Sequence, residues 1–340
     1  MRKTSLLLDL VTFTVVSLAT VSAQTPILMK AGYSAPTPIP VAPGQVITLY
    51  ISGTKTVLPP QNQSIRAATT PLPATLGGFA VTVRQGNKTY PAPLLSVAQT
   101  PNCTDANQTS PDCITTALTL QIPFEIASVS VLIQAAQTPG DLSVNDNGTE
   151  SGHFPIAVIT DNIHVLTLCD LRAGSFLPSP CPAIVTHADG TMVFSTSPAV
   201  PGETLVLYAY GLGPTTPAVK TGESTPILVP DVLDPFSAPV VSNDFKVQFD
   251  FRPNARASIP YLAQGRIPTP DFVGLTPGQV GLYQINVKIP ATVPAIPACT
   301  VSFDCLNTLI GCLIQSNATI NIAGVSSFDG AAICVQPPQQ

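Results

Sequence analysis

Between Gly281 and Pro290 the chain reads GLYQINVKIP, with Ile285, Val287 and Ile289 on one side of a two-residue repeat and Gln284, Asn286 and Lys288 on the other. Strict alternation of this kind predicts a half-buried strand, and Pro290, which has no N–H to give a ladder, predicts that pairing stops there. Leu118 to Pro123, LTLQIP, carries the same pattern. The repetition runs further. Pro43 and Gly44 precede Val46, Ile47, Leu49, Tyr50 and Ile51, which close at Gly53; Pro201 and Gly202 precede Leu205, Val206, Leu207 and Tyr208, which close at Gly211. Phe79, Val81 and Val83 correspond to Phe245, Val247 and Phe249. The opening strands are offset by 158 residues, the second pair by 166 and the closing prolines by 167. The added length therefore falls between strands, where surface loops absorb insertions.

These patterns predict an all-β protein of two tandem Ig-like antiparallel β-sandwich domains. The expected order is a signal peptide over 1–23, a first domain over 24–165, a disulfide-closed linker over 166–181 and a second domain over 182–340. Copy one closes on Phe154, Ile156 and Val158, and copy two on Ala332, Ile333 and Val335. No segment sustains a helical period, and 37 prolines work against long helices while suiting short strands joined by turns. Trp is absent, so neither half has the Cys, Trp, Cys core of antibody domains.

Arg2 and Lys3, the apolar segment from Leu6 to Leu18 and the small residues Val21, Ser22 and Ala23 read as a signal peptide cut after Ala23. No second hydrophobic span follows, so the expectation is a secreted or cell-surface protein with no membrane span after cleavage. Eight cysteines fit disulfides in an oxidising compartment. Cys103 with Cys113, and Cys169 with Cys181, are each close enough in sequence to close a small ring. Cys299, Cys305, Cys312 and Cys334 allow three pairings. Zinc is disfavoured, because there is no C-x-x-C and His153, His164 and His187 show no ligand spacing. With 14 Lys and Arg against 19 Asp and Glu and no basic run, the chain lacks the clustered cations that nucleic-acid binding requires.

Several motifs of the second half stand in a recognisable order: Pro182-Ala183-Ile184, Asp189-Gly190-Thr191, PAVPGE from Pro198 to Glu203, YAYGLGP from Tyr208 to Pro214, FVGLTPG from Phe272 to Gly278, and GLYQINVKIP. Together they resemble the uncharacterised C-terminal domain common in secreted proteins of Solibacter-type Acidobacteria, over about Pro182 to Pro290. The resemblance implies a secreted Ig-like sandwich and no catalytic residues. The Cys-rich segment from Cys299 to Cys312 departs from it as an insertion, and the first copy keeps only the strand skeleton.

A search for chemistry yields little. There is no G-x-S-x-G elbow, no P-loop and no strand-linked G-x-G-x-x-G; Gly211 and Gly213 run into prolines and are read as shaping a bend at a strand end. Asp141, Asn145, Asp146, Asn147 and Glu150 form the richest polar loop and offer oxygen ligands to Ca²⁺, although their spacing is not that of an EF-hand and Asx-rich turns are commoner. Asp231, Asp234, Asp244 and Asp271 lie mostly beside Pro or Gly, as turn residues do. Tyr208, Tyr210, Tyr261 and Tyr283 could line a sugar-binding face, but core and corner positions suit strand tyrosines better. Tyr50 and Tyr208 align between the copies.

The expectation is a non-catalytic protein without cofactors, in a structural, adhesive or surface-scaffold role. The alternatives are a polysaccharide-binding module, marked by an exposed aromatic row, and a self-assembling filament or coat. Possible partners are a protein or glycan at the cell surface, or further copies of the chain.

Overall fold

The computed structural model describes residues 27–31, 38–59, 63–103, 111–128, 138–150, 154–167, 170, 183–194, 196–215, 217–226, 245–249, 268–291, 318–322, 325–326 and 333–336. The expected signal peptide lies outside the described residues, as do Cys169, Cys181, Cys299, Cys305 and Cys312. So do His153, Asp231, Asp234, Asp244 and Tyr261. The described chain is built from strands, with one short 3-10 turn at Pro111–Cys113 and no α-helix.

In the first half, one sheet orders β1 (Ile27–Ala31), β3 (Val46–Ser52), β9 (Ile114–Gln121), β8 (Leu94–Pro101) and β4 (Ser64–Arg66), all antiparallel. The second orders β2 (Ile39–Val41), β12 (Phe154–Val158), β10 (Thr138–Asp146), β6 (Phe79–Gln85) and β5 (Thr75–Leu76). In it β11 (Thr149–Glu150) lies beside β10 and β7 (Lys88–Ala92) beside β6. Alternation decides which side chains turn inward. Leu49, Ile51, Leu118 and Leu120 of the first sheet meet Val81, Val83, Leu142, Val144 and Ile156 of the second in one core. The pairing of β2 with β12 is parallel.

In the second half, β15 (Thr204–Tyr210), β18 (Tyr283–Lys288) and β17 (Phe272–Leu275) form a sheet whose far edge is shared by β13 (His164–Val165) and β14 (Val185–His187). The facing layer is β16 (Phe245–Gln248), β19 (Thr319–Ile322) and β20 (Val325–Ser326). Leu205, Leu207, Ile285 and Val287 close over Phe245, Val247 and Ile320.

Register recurs between the halves. Val46 pairs with Gln121 and Tyr50 with Ala117; Thr204 pairs with Lys288 and Tyr208 with Gln284. Each partner is displaced by the offset read from the sequence. Val41 pairs in parallel with Val158, and Ala199 makes the matching parallel bridge to Val335. Gly44 and Gly202 take positive φ at the head of the opening strands, and Gly53 and Gly211 do so at their ends.

Hydrogen bonds and packing change partners close to residue 160. Ile159 still donates to Val41, but Asn162 donates to Gly211, and Ile163 and Val165 already belong to the second core. The two-residue β13 is too short to show its own period, so in sequence it reads as a continuation of the first copy.

Cys103 and Cys113 form a disulfide with a Cα–Cα distance of 5.1 Å, joining the end of β8 to the start of β9. Cys334 is also disulfide-bonded.

Candidate functional site

The two halves meet along a joint made of strand ends and turns. It begins with two glutamines at the same end of the β3–β9 pair, both fully buried. Gln45 Oε1 accepts from Ala42 N at 2.8 Å and from Asn162 Nδ2 at 3.2 Å, while its Nε2 donates to Asn162 O at 3.2 Å. Gln121 Oε1 accepts from Gly222 N at 2.7 Å, and its Nε2 donates to Gly44 O at 3.3 Å. A buried amide left without partners costs about 1–3 kcal/mol, so these side chains favour the docked arrangement that satisfies them.

The backbone is tied as well. Leu72 N donates to Gly222 O at 2.8 Å, and Phe124 N donates to Thr221 Oγ1 at 2.8 Å, whose hydroxyl in turn donates to Glu125 Oε2 at 2.5 Å. The Phe124 ring leaves the first half, covers Gly44 and packs against the second core. Gly211, Gly213 and Gly281 all take positive φ where the other half comes closest. A Cβ on Gly211 would run into Asn162 O, one on Gly213 into Thr160 O, and one on Gly281 would lie 2.7 Å from Gly44 O. Only glycine meets both demands there, left-handed backbone and no side chain. Gly211 and Gly213 thus end β15 as the sequence suggested, and their conformation also admits the linker backbone. Tyr283, fully buried, donates its hydroxyl to Gly213 O and pins the same turn. Burial pushes that hydroxyl's pKa well above the ordinary range.

On the linker side, Asp170 accepts from Thr167 N and Oγ1 at 2.7 Å and lies 3.0 Å from His164 Nε2. Burial alone would raise its pKa; the bonds and charge of His164 and Thr167 outweigh that and hold it below the ordinary value. Asp170 also raises Tyr50 of the first half and Tyr210 of the second, adding to the larger effect of their burial.

A second constellation lies away from the joint, on the second sandwich. In β14 and β15 His187 pairs with Leu205, so Glu203 is diagonal to it across the ladder, within reach of a long side chain. Glu203 Oε2 sits 3.1 Å from His187 Nδ1, and its other oxygen accepts from Val200 N at 2.6 Å. The chain reverses tightly between Phe194 and Ser197, whose backbones exchange hydrogen bonds of 3.1 and 3.0 Å. This turn brings Ser197 Oγ to 3.2 Å from His187 Nε2, with Ser197 O also at 3.2 Å. Asp189 is engaged by Thr191 N and Oγ1 at 2.9 and 2.7 Å. Burial would lower the His187 pKa, but the bonds to Glu203 and Ser197 O and the charges of Glu203 and Asp189 raise it above the ordinary value.

The loop singled out for Ca²⁺ is a hairpin turning at Asn147 and Gly148, both with positive φ. Its oxygens serve the fold. Asp146 accepts from Lys55 N at 2.5 Å and Thr56 N at 3.2 Å, Asn145 Oδ1 accepts from Gly148 N at 2.9 Å, and Glu150 Oε1 accepts from Ser143 Oγ at 3.2 Å. Asp141 pairs with Arg84 in the ladder, away from the turn. Among the described residues no three His, Cys, Asp or Glu side chains gather as a metal site. Of the aromatic candidates, Tyr283 is core and Tyr208 and Tyr210 are half-buried; Phe194 is the exposed aromatic among the described residues.

Sequence reasoning missed Gln45, Asn162 and the roles of Gln121 and Phe124, because a polar residue at a strand end carries no mark of what it docks against. It quoted His187 and Glu203 separately. Nothing in their spacing brings Ser197 to them.

No protein-family model matches the chain, and no curated protein matches it. Among solved structures, domains 5-6 of the S-layer protein SbsC align with 92% of this chain and 99% of their own length, at 12% identity and a TM-score of 0.23.

Proposed function

We propose that the chain is an extracellular structural protein, a tandem of two Ig-like sandwiches that acts as a fixed spacer or scaffold at the cell surface. Its second half belongs, in this reading, to the Solibacter-type family that its motifs resemble. The observation that carries the proposal is the joint. Gln45 and Gln121 are buried with their amides divided between the halves, Phe124 packs against the other core, and glycine backbones meet where a flexible tether would need clearance. Reorienting the halves would strip these buried amides of their partners, which opposes that motion. The predicted leader and the Cys103–Cys113 disulfide support an oxidising, exported setting.

Small-angle scattering of the secreted mature chain tests the reading. Wild type should fit one particle of fixed shape, and Gly281→Ala, which places a Cβ against Gly44 O at positive φ, should broaden the distribution of interdomain distances. A wild-type curve that demands an ensemble of freely reorienting halves would overturn the proposal.

A further inference from the structure

We propose that Ser197 is an acyl-acceptor nucleophile, with His187 as its general base and Glu203 as the positioning residue, on the face of the second sandwich away from the joint. The three atoms that matter are in line: Ser197 Oγ, His187 Nε2 at 3.2 Å, and Glu203 Oε2 at 3.1 Å from the opposite ring nitrogen. Ser197 O, 3.2 Å from Nε2, can only accept, so the protonated ring donates from both nitrogens; once His187 loses a proton, Glu203 keeps the remaining one on Nδ1 and Nε2 becomes the acceptor facing the hydroxyl. Serine is a weak nucleophile without such a base, and this arrangement of nucleophile, base and orienting acid is the one that activates it. Glu203 is itself fixed by Val200 N, so the ring is held from its far side.

The surroundings indicate the substrate class. Ser197 is exposed, and its backbone partner Phe194 projects from the same side of the tight reversal. Phe194 and Val200 are two of the three large exposed hydrophobic residues described, at 41% and 47%. They suit the apolar part of an activated acyl donor such as an aryl ester or thioester. In the reaction Ser197 Oγ attacks the acyl carbon while its proton passes to His187 Nε2. The bond to the leaving group then breaks, the departing alkoxide or thiolate takes that proton, and the acyl group stays on Ser197 as an ester. The N–H groups of Ser197 and Phe194 are both occupied by the exchange between them, so Ser197's own amide is not free to serve as an oxyanion donor. Without that donor neither acylation nor deacylation has its oxyanion stabilised, so reaction is confined to activated acyl donors and turnover is slow.

The test treats the folded mature chain with a fluorophosphonate and, separately, with p-nitrophenyl acetate, and reads intact mass, peptide mapping and the p-nitrophenolate burst. One adduct per chain, on the peptide holding Ser197, is expected; S197A should lose it and H187Q should slow it by about 100-fold. The rate should rise with pH as His187, facing Glu203 and Asp189, loses its proton, and E203Q should move that profile to lower pH. Melting curves of S197A and H187Q close to wild type would show that the losses are chemical, since the serine hydroxyl contacts only His187 among the described partners. Equal labelling of S197A, a rate unaffected by H187Q, or wild-type labelling no faster than that of the unfolded chain would each overturn the proposal.

Discussion

At the residue scale, Asp161 is the most consequential buried acid without a partner among the described residues. It lies in the linker between Thr160 and Asn162, 9% exposed, and no described residue donates a hydrogen bond to its carboxyl. Burial raises its pKa from 3.8 to about 6, a difference of about 3 kcal/mol between its two protonation states. Folded and unfolded chains both hold the proton below pH 3.8, where Asp161 costs nothing. As pH climbs toward 6 the unfolded chain releases it first, so stability falls across that window. Asp161→Asn should remove this loss and be more stable than wild type at pH 7.5 by up to about 3 kcal/mol, with the gain vanishing near pH 4. Urea unfolding of both proteins at the two pH values measures it, and an Asn variant weaker than wild type at pH 7.5 would show that the carboxylate has a partner in solution. The residues that could be read in advance were those whose neighbours in sequence set their environment, such as Ile285 and Val287. Asp161 was not among them, because nothing in the residues beside it marks a buried carboxyl.

At the scale of elements, the alternation in Val46–Ser52, Phe79–Gln85 and Tyr283–Lys288 placed strands where strands are found, and the register of β3 on β9 and of β15 on β18 follows the sequence offsets. Period-two patterning is a local signal, and a one-residue slip would turn a whole apolar face to water. Elements of two or three residues were beyond its reach. β13 reads in sequence as part of the first half although Val165 packs in the second core, and the tight turn that carries Ser197 has no apolar rhythm. The Cys103–Cys113 ring was legible because the two cysteines lie ten positions apart with few other partners nearby. It closes the β8–β9 connection in the middle of the first sheet. Replacing both cysteines with serine should cost about 3 kcal/mol by the loop-entropy estimate, measured by chemical denaturation. An unchanged midpoint would mean that the unfolded connection is already restricted.

At the scale of the whole molecule, composition and strand patterning framed an all-β protein, and the matching registers of the opening and closing strands were visible as sequence offsets. The junction of the halves was not. Gly44, Gly211, Gly213 and Gly281 look like ordinary turn glycines in sequence, and their close approach emerges only once Thr160, Asn162 and the second sheet are in place. A further consequence follows from the parallel contact between β2 and β12, which comprise the early and late strands of the first sandwich. A load drawing the N-terminal side one way and the C-terminal side the other would slide these neighbours past each other lengthwise. Their cross-links would then have to rupture together, whereas an antiparallel edge pulled the same way opens like a zip. The bridge from Ala199 to Val335 repeats the arrangement. Single-molecule stretching should accordingly record a force peak for the first sandwich that falls when Pro replaces Ala157, in the middle of the β2–β12 contact. A trace with low, graded extension in the unaltered protein would mean that tension enters along another path.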